Sequence, residues 1–339
     1  MDVVIDGGSG EGGGQTVRTA VGLACALGKG VRISNIRKGR SQPGLRAQHL
    51  AGVKLAAEMC DAEVSGLDIG STEIFFHPSS NTGGRFEIDV GTAGSVSLVL
   101  QTCMIPAVTA KGPTDLMIRG GTDVPWSPPV DYLSMVLLPL LRGMGADVEL
   151  TVAQRGFYPA GGGEVTARIA PCGEMKGFDL SSRGKLIGIE GGVACRNLPE
   201  HVVERAKNAA IKGLAGYGSP KFSVDSARGP STGLSLVLAA RYENSVIGAS
   251  CIGEKGLPAE RVGEMAAYNL SEDMSSVATL DEHAADQLVP FMFLANGASR
   301  FATSELTLHA KTSLQVAGQF VGRKVATEDT GASVLVSIE

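Results

Sequence analysis

The sequence lacks the features that mark membrane, secreted and zinc-binding proteins. No apolar run approaches the roughly 18 residues that cross a bilayer, so no membrane association is expected. No basic region followed by an apolar stretch opens the sequence, so no signal peptide is expected. The six cysteines include no C-x-x-C pair, and no histidine, cysteine or carboxylate cluster has zinc spacing. We therefore expect a cytoplasmic protein with reduced cysteines.

Aromatic residues are few, at 5%, and no G-x-S-x-G element provides a serine nucleophile. Glycine is abundant instead, because 46 of the 339 residues are glycine. This is about twice the usual share of roughly 7% and indicates many tight turns. The net charge of −5 gives no overall signature of a nucleic-acid-binding protein.

Acidic residues are absent from one segment, although the whole chain is acidic. None occurs between Glu11 and Glu58. Such an unbalanced basic run predicts an anionic ligand or distant acidic partners, and a solvated basic face explains it equally well. The basic residues of this segment are Arg18, Lys29, Arg32, Arg37, Lys38, Arg40, Arg46 and Lys54.

A glycine-rich segment, GGSGEGGGQTVR (7–18), follows a short predicted strand at residues 2–6 and opens a helix. It lacks the lysine of the common phosphate loop, because Gly14 stands where the lysine would be when the pattern starts at Gly8. Free N–H groups at a helix start favour an anion, and glycines allow its close approach. Glycines that only permit tight packing are the alternative.

The order of elements is repeated along the chain, which indicates an internal duplication. Residues 1–80 and 81–172 each show strand, glycine-bearing turn, helix, strand, proline-bearing loop, second helix and two strands. Arg18 lies 12 residues after Asp6, and Gln101 lies 12 after Asp89. One position thus carries a cation in one copy and an amide in the other, as expected for groups that converge on an asymmetric ligand. The first helices are predicted at Gln15–Leu27 and Val96–Val108.

A third, degraded copy is predicted at residues 275–339, with a first strand at 277–281. Residues 183–273 show a different order of predicted strands and helices, and we interpret them as a smaller α+β domain inserted between the second and third copies. The predicted fold class is therefore α+β. The large domain comprises residues 1–182 plus 274–339, in three repeats of two helices packed on an about four-stranded sheet.

The third copy also contains His309. Leu306, Leu308 and Ala310 alternate with polar residues, which predicts a strand over residues 304–310 with His309 on its polar face. From this pattern alone, an ordinary exposed histidine of a sheet is favoured.

Several motifs occur together and in a fixed order. They are DGGSGEGGGQTVRTA (6–20), GRSQPGLRAQHL (39–50), GTAGSVSLVLQT (91–102), GGTDVPWSPP (120–129), RGFYPAGGGEV (155–165), ADQL (285–288) and the late His309. With these motifs the chain resembles the RNA 3′-terminal phosphate cyclase family over essentially its whole length.

The resemblance implies a three-repeat domain with a small insert and a ligase-class reaction that uses ATP. An RNA 3′-phosphate end would become a 2′,3′-cyclic phosphate, with release of AMP and pyrophosphate. By position, His309 would attack the α-phosphorus of ATP and form a covalent histidine–AMP intermediate, from which AMP passes to the RNA. The implied partners are RNA 3′-phosphate ends, ATP and a divalent metal, Mg²⁺ or Mn²⁺.

The resemblance also implies which residues surround the nucleotide. Glu11 would contact the metal or a phosphate, and Pro128 or Pro129 would pack near the adenine. His283 stands where family members can carry a tyrosine that stacks on adenine, and Gln42 stands where a second basic residue is common. The other implied nucleotide- or phosphate-binding residues are Arg18, Arg40, Gln48, His49, Gln101, Asp286 and Gln287.

Two other functions are compatible with the fold. Cyclase-like proteins that serve ribosome assembly lack activity, but the presence of His309 with Arg18 and Arg40 favours an enzyme. An enolpyruvyl transferase would show six similar units, whereas this sequence shows three.

Overall fold

The computed structural model describes residues 2–339. The first unit of the chain forms a four-stranded sheet with two helices. The unit consists of β1 (Val3–Asp6), α1 (Gln15–Leu27), β2 (Val31–Ser34), α2 (Ala47–Cys60), β3 (Glu63–Ser65) and β4 (Ile74–His77). β1 and β2 are parallel, so the chain must cross over between them, and α1 forms this crossover. The sheet order is β1-β2-β4-β3, with both other pairs antiparallel.

The second unit repeats this path. It consists of β5 (Gly84–Asp89), α3 (Val96–Val108), β6 (Thr114–Gly120), α4 (Val130–Tyr132), a π-helical turn (Leu133–Leu137), α5 (Leu138–Gly143), β7 (Asp147–Gln154) and β8 (Gly163–Ala170). Its sheet order is β5-β6-β8-β7, again with one parallel pair followed by antiparallel pairs. The predicted α+β fold of repeated helix-on-sheet units is therefore confirmed.

The next part of the chain builds a differently ordered sheet. Its elements, after β9 (Asp179–Leu180), are β10 (Leu186–Arg196), α6 (Glu200–Gly213), β11 (Lys221–Ala227), β12 (Gly233–Tyr242), β13 (Val246–Ile252) and α7 (Ala259–Ser275). The order is β11-β10-β12-β13. Apolar residues from this sheet and from both helices form a hydrophobic cluster of their own between Ile189 and Met274.

The last elements are α8 (Glu282–Leu294), β14 (Ser299–Thr303), α9 (Leu308–Phe320), β15 (Val325–Asp329) and β16 (Val334–Ile338). With β9 they form a sheet of order β9-β14-β16-β15, which has the strand directions of the first two units. The first strand of this sheet thus precedes residues 181–298, while the other three follow α8. The domain bounds given above stay a prediction.

The strand predicted at residues 277–281 is wrong. The backbone N–H groups of Thr279 and Leu280 both donate to the carbonyl of Ala302, at 2.8 and 3.1 Å. Because one carbonyl serves both donors, no ladder of hydrogen bonds extends along the segment. Its last residue, Asp281, instead caps α8.

The helices of the three similar units pack against one another. α1 contacts α3 and α9, and α8 contacts α9. α3 is apolar all round, as a helix in the interior is expected to be, and Gln101 is the one residue of it that is not buried. A single hydrophobic cluster runs through these units, from Ile5 to Ile338. Within residues 2–339, no helix has the length and apolar character needed to cross a membrane.

Candidate active site

The glycine loop between β1 and α1 lies against the helix that carries His309. Gly10 has a φ of +64°, and a Cβ atom there would collide with the side chain of Thr312. The N–H of Glu11 donates to Thr312 Oγ1 at 2.8 Å. The loop and the first turns of α9 therefore form one surface, although 301 residues separate the two bonded positions.

His309 lies in the first turn of α9, so the strand predicted at residues 304–310 is wrong. The Thr307 side chain caps the helix by accepting from the N–H of Ala310 at 3.1 Å. Leu306 and Ala310 are buried, whereas Leu308 is 54% exposed. The apolar residues thus follow the spacing of four that belongs to a helix, and the apparent alternation arose from the exposed Leu308.

The environment of His309 favours a neutral imidazole. Partial burial lowers the pKa of His309 most, and the nearby Arg18, His283 and Arg40 lower it further. The positive end of the α9 dipole acts in the same direction. Because a neutral imidazole has a free nitrogen lone pair, His309 can act as a nucleophile at pH 7.

Arg18 and His49 meet at the start of α1. A Cβ atom at Gly14 would lie 2.8 Å from His49 Cδ2 and 2.9 Å from Arg18 Nη1, so glycine is needed there. His49 is buried and accepts from the N–H of Arg46 at 3.1 Å through Nδ1. Burial, with the charges of Arg18 and two other arginines, lowers the pKa of His49 to about 3. Burial and the neighbouring positive charges thus keep His49 uncharged beside Arg18.

Glu11 and Arg40 form an ion pair beside the loop. Arg40 Nη2 also donates to the carbonyl of Glu11 at 3.4 Å. The Glu11 side chain is only 8% exposed, and its Oε2 has no hydrogen-bond partner. A buried carboxylate oxygen without a partner fits a single ligand of a metal ion. Among residues 2–339, no group of three or more histidines, cysteines and carboxylates forms a complete metal site.

Three of the predicted residues lie on α8, near its N terminus. Gln287 Nε2 donates to the carbonyl of His283 at 2.9 Å, and its buried Oε1 has no partner. Asp286 is almost fully buried, and this burial raises its pKa to about 7, against the opposing effects of His283 and Arg18. The side chain of Asp286 therefore changes charge near neutral pH.

A cavity of about 530 Å³ brings most of these side chains together. α1 and α3 line it with Arg18 and Gln101, the equivalent positions of the first two units. The groups expected to converge on one ligand thus share one cavity. The predicted residues that line it are Arg18, Gln101, Pro128, His283, Asp286, Gln287 and His309.

Five predicted residues do not line this cavity, namely Glu11, Arg40, Gln48, His49 and Pro129. Gln48 Oε1 accepts from the N–H of Ser95 at 3.2 Å and so joins α2 to the glycine-bearing turn of the second unit. Pro129 caps α4, and its carbonyl accepts from the N–H of Tyr132 at 3.0 Å. The Gln48 contact joins two units of the fold, whereas the Pro129 contact stays within the first turn of α4.

Some residues of the cavity wall were not predicted. Gln15, Leu98, Pro125, Trp126 and Ser127 line it, together with residues 250–254 at the end of β13. No sequence motif marks residues 250–254, because they enter the site only through the packing of their sheet. Trp126 could have been predicted from the sequence, because it lies in the motif GGTDVPWSPP (120–129).

The motif RGFYPAGGG lies outside the cavity, where its arginine makes structural contacts. Arg155 is buried and contacts three carboxylates, at 2.8 Å from Asp131, 3.0 Å from Asp225 and 3.5 Å from Asp123. Asp225 lies on β11, so Arg155 joins the second unit to the neighbouring sheet. Burial raises the pKa of Asp123, and the charge of Arg155 opposes the rise.

Comparison with known proteins identifies the family. The family model described as RNA 3′-terminal phosphate cyclase matches residues 9–327. A protein of that name from Archaeoglobus fulgidus is 46% identical over 327 residues, which cover 96% of this chain and 98% of the relative. Its namesake from Nitrosospira multiformis is 44% identical over 322 residues, covering 94% of this chain and 91% of the relative. The chain belongs to the RNA 3′-terminal phosphate cyclase family.

Proposed function

We propose that the protein uses ATP to convert an RNA 3′-terminal phosphate into a 2′,3′-cyclic phosphate, with release of AMP and pyrophosphate. Relatives that are 44–46% identical carry the name of this activity. The observation that carries the proposal is the position of His309, at a helix N terminus and in a cavity that it shares with Arg18 and Gln101.

In the first step, a ring nitrogen of His309 attacks the α-phosphorus of ATP. A P–N bond forms, the bond from the α-phosphorus to the bridging oxygen breaks, and pyrophosphate leaves. The lowered pKa of His309 keeps the attacking lone pair available at neutral pH. The product is a histidine–AMP intermediate.

Cationic and amide groups then hold the phosphates. Arg18 and Arg40 offset their charge, and Gln101 donates a hydrogen bond from the opposite helix. The N–H groups at the start of α9 face the same anions. Pro128 and His283, both in the cavity wall, would pack against the adenine.

A divalent metal, Mg²⁺ or Mn²⁺, would bind the phosphates of ATP and the partnerless Oε2 of Glu11. When bound, it would offset phosphate charge. Glu11 would exchange part of its pairing with Arg40 for this contact, which leaves the guanidinium free to bind a phosphate.

The remaining steps transfer AMP and close the ring. An oxygen of the RNA 3′-phosphate attacks the phosphorus of the histidine-bound AMP, and the P–N bond breaks. The neighbouring 2′-hydroxyl oxygen then attacks the RNA phosphorus and loses its proton, and AMP leaves. Because this attack is intramolecular, correct positioning supplies much of the acceleration.

The test uses ATP labelled at the α-phosphate together with a divalent metal. We expect an acid-labile label on the protein and conversion of a 3′-phosphorylated oligoribonucleotide, but not of its 3′-hydroxyl counterpart. His309→Ala is expected to lose both. His201→Ala, an exposed histidine on α6, is the matched control and should retain both.

Two results would contradict the proposal. A His309→Ala protein that still takes up the label would remove His309 as the nucleophile. Wild-type protein that neither takes up the label nor cyclises the RNA would favour a non-catalytic, RNA-binding member of the family.

A further inference from the structure

The only tryptophan of the chain stands almost completely in solvent. Trp126 is 94% exposed and has a φ of +62°. It follows Pro125 in a turn, at a position where φ is positive and glycine or asparagine is the usual residue. A bulky residue is rare in this conformation, so both its exposure and its backbone need an explanation.

The segment around Trp126 is fixed at both ends. The N–H groups of Thr122 and Asp123 donate to the carbonyl of Gly156, at 2.8 and 3.2 Å. The N–H of Val130 donates to the carbonyl of Thr122 at 3.0 Å, which closes the loop. The buried carboxylate of Asp123 accepts from the hydroxyl of Ser235 at 2.5 Å. These contacts hold the indole outward from an anchored base.

The position of the ring relates it to the candidate active site. Trp126, Pro125, Ser127 and Pro128 line the same cavity as His309. Since the Trp126 side chain is almost entirely in solvent, it stands at the mouth of the cavity. A chain whose end reaches His309 from solvent would pass this ring.

We propose that Trp126 is a stacking platform for a nucleobase near the 3′ end of the RNA, an inference that rests on the proposed function. Every base presents a flat π face, so stacking on an aromatic ring holds single-stranded RNA with little dependence on sequence. Arg40, whose side chain is half-exposed and pairs with Glu11, lies near His309 and attracts the phosphates of the same strand. Trp126 therefore binds the RNA, whereas the adenine of ATP lies deeper, at Pro128.

Because the chain has one tryptophan, its fluorescence reports on this position alone. We expect saturable quenching when a 3′-phosphorylated oligoribonucleotide is added, and weaker quenching when abasic sites replace its last two nucleosides. ATP alone should leave the fluorescence nearly unchanged. Quenching by ATP equal to that by RNA, or none with either, would overturn the assignment.

Substitutions give the second readout. Trp126→Ala is expected to raise the KM for RNA by about 5- to 150-fold, which corresponds to the ~1–3 kcal/mol of one stacked base. Trp126→Phe should restore most of the affinity. Tyr268→Ala, which removes a 63% exposed tyrosine on α7, is the matched control and should not change the KM.

The same variants distinguish this inference from the function on which it rests. Label uptake from ATP needs no RNA, so Trp126→Ala should lower it far less than it raises the KM for RNA. A loss of label uptake in Trp126→Ala as large as the effect on the KM for RNA would assign the ring to ATP and overturn the inference. An unchanged KM, with self-association that only the wild type shows, would assign the ring to a protein interface. Failure of the proposed function would instead abolish label uptake in the wild type and leave RNA quenching measurable.

Discussion

Asp281 holds three parts of the molecule together through one buried carboxylate, which is 1% exposed. Its Oδ1 accepts from the hydroxyl of Tyr132 at 2.5 Å and from the N–H groups of His283 and Ala284 at 3.1 and 3.0 Å. Its Oδ2 accepts from the N–H of Gly248 at 2.9 Å. The second unit, the start of α8 and the strand β13 thus depend on the same side chain.

We expect Asp281→Ala to lower the free energy of unfolding far more than the loss of an ordinary helix cap. The cap itself contributes ~1 kcal/mol. The hydroxyl of Tyr132 and the N–H of Gly248 would remain buried without an acceptor, at about 1–3 kcal/mol each. The total loss is therefore about 3–7 kcal/mol.

Urea denaturation followed by circular dichroism measures this difference. Ser95→Ala is the matched control, because Ser95 is a buried cap of α3 that accepts only from the N–H of Leu98, at 3.2 Å. We expect a loss of ~1 kcal/mol for it. In a double-mutant cycle, Tyr132→Phe should be less harmful in the Asp281→Ala background than in the wild type.

The reasoning is refuted if Asp281→Ala costs no more than Ser95→Ala. A strict additivity of Asp281→Ala and Tyr132→Phe would likewise show that the short hydrogen bond between them carries no free energy. Because α8 carries Asp286 and Gln287, we also expect Asp281→Ala to reduce label uptake from ATP, and Ser95→Ala to reduce it less.

Two further predictions concern buried charges. Burial raises the pKa of Asp286 to about 7; the folded wild type therefore holds this proton more tightly than the unfolded chain and loses stability as the pH rises from about 4 to 7. Asp286→Asn should remove this loss, so between pH 4 and 8 its free energy of unfolding in urea should rise on the order of 4 kcal/mol relative to that of the wild type. The same pH dependence in both proteins would contradict the raised pKa of Asp286. Arg155→Met should cost about 3–5 kcal/mol, since it leaves the buried Asp123 without its cation. The exposed pair of Arg205 and Glu260 is its control, because Arg205→Met should cost about 0–1 kcal/mol, and similar losses would exclude a buried network.

Local signals predicted the first helices of the first two units, because those signals come from neighbours along the chain. α1 spans Gln15–Leu27 and α3 spans Val96–Val108, as predicted. Gly28 ends α1 in the left-handed conformation, and Ser95 caps the start of α3. The equal placement of Arg18 and Gln101 in the two copies also predicted their convergence on one cavity.

Prediction from local patterns failed where the apolar residues of a short segment fit both the two-residue period of a strand and the spacing of a helix. Leu306, Leu308 and Ala310 satisfy the alternation of a strand, and only burial shows that Leu308 faces solvent. The two-residue strand β9 has no pattern of its own and forms because β14 offers it a parallel partner.

The sequence by itself therefore determined the repeated elements, the glycine loop and the chemical types of residue in the site. The tertiary structure alone decided which of these residues face one another. Arg18 and Gln101 meet His309 only because α1, α3 and α9 pack together, and residues 250–254 reach the cavity only through their sheet. Caps and periodicities depend on residues a few positions apart, whereas the shape of the cavity depends on contacts between helices hundreds of residues apart. The glycine loop is recognisable in the sequence, but only the fold places it against α9, the helix that carries His309.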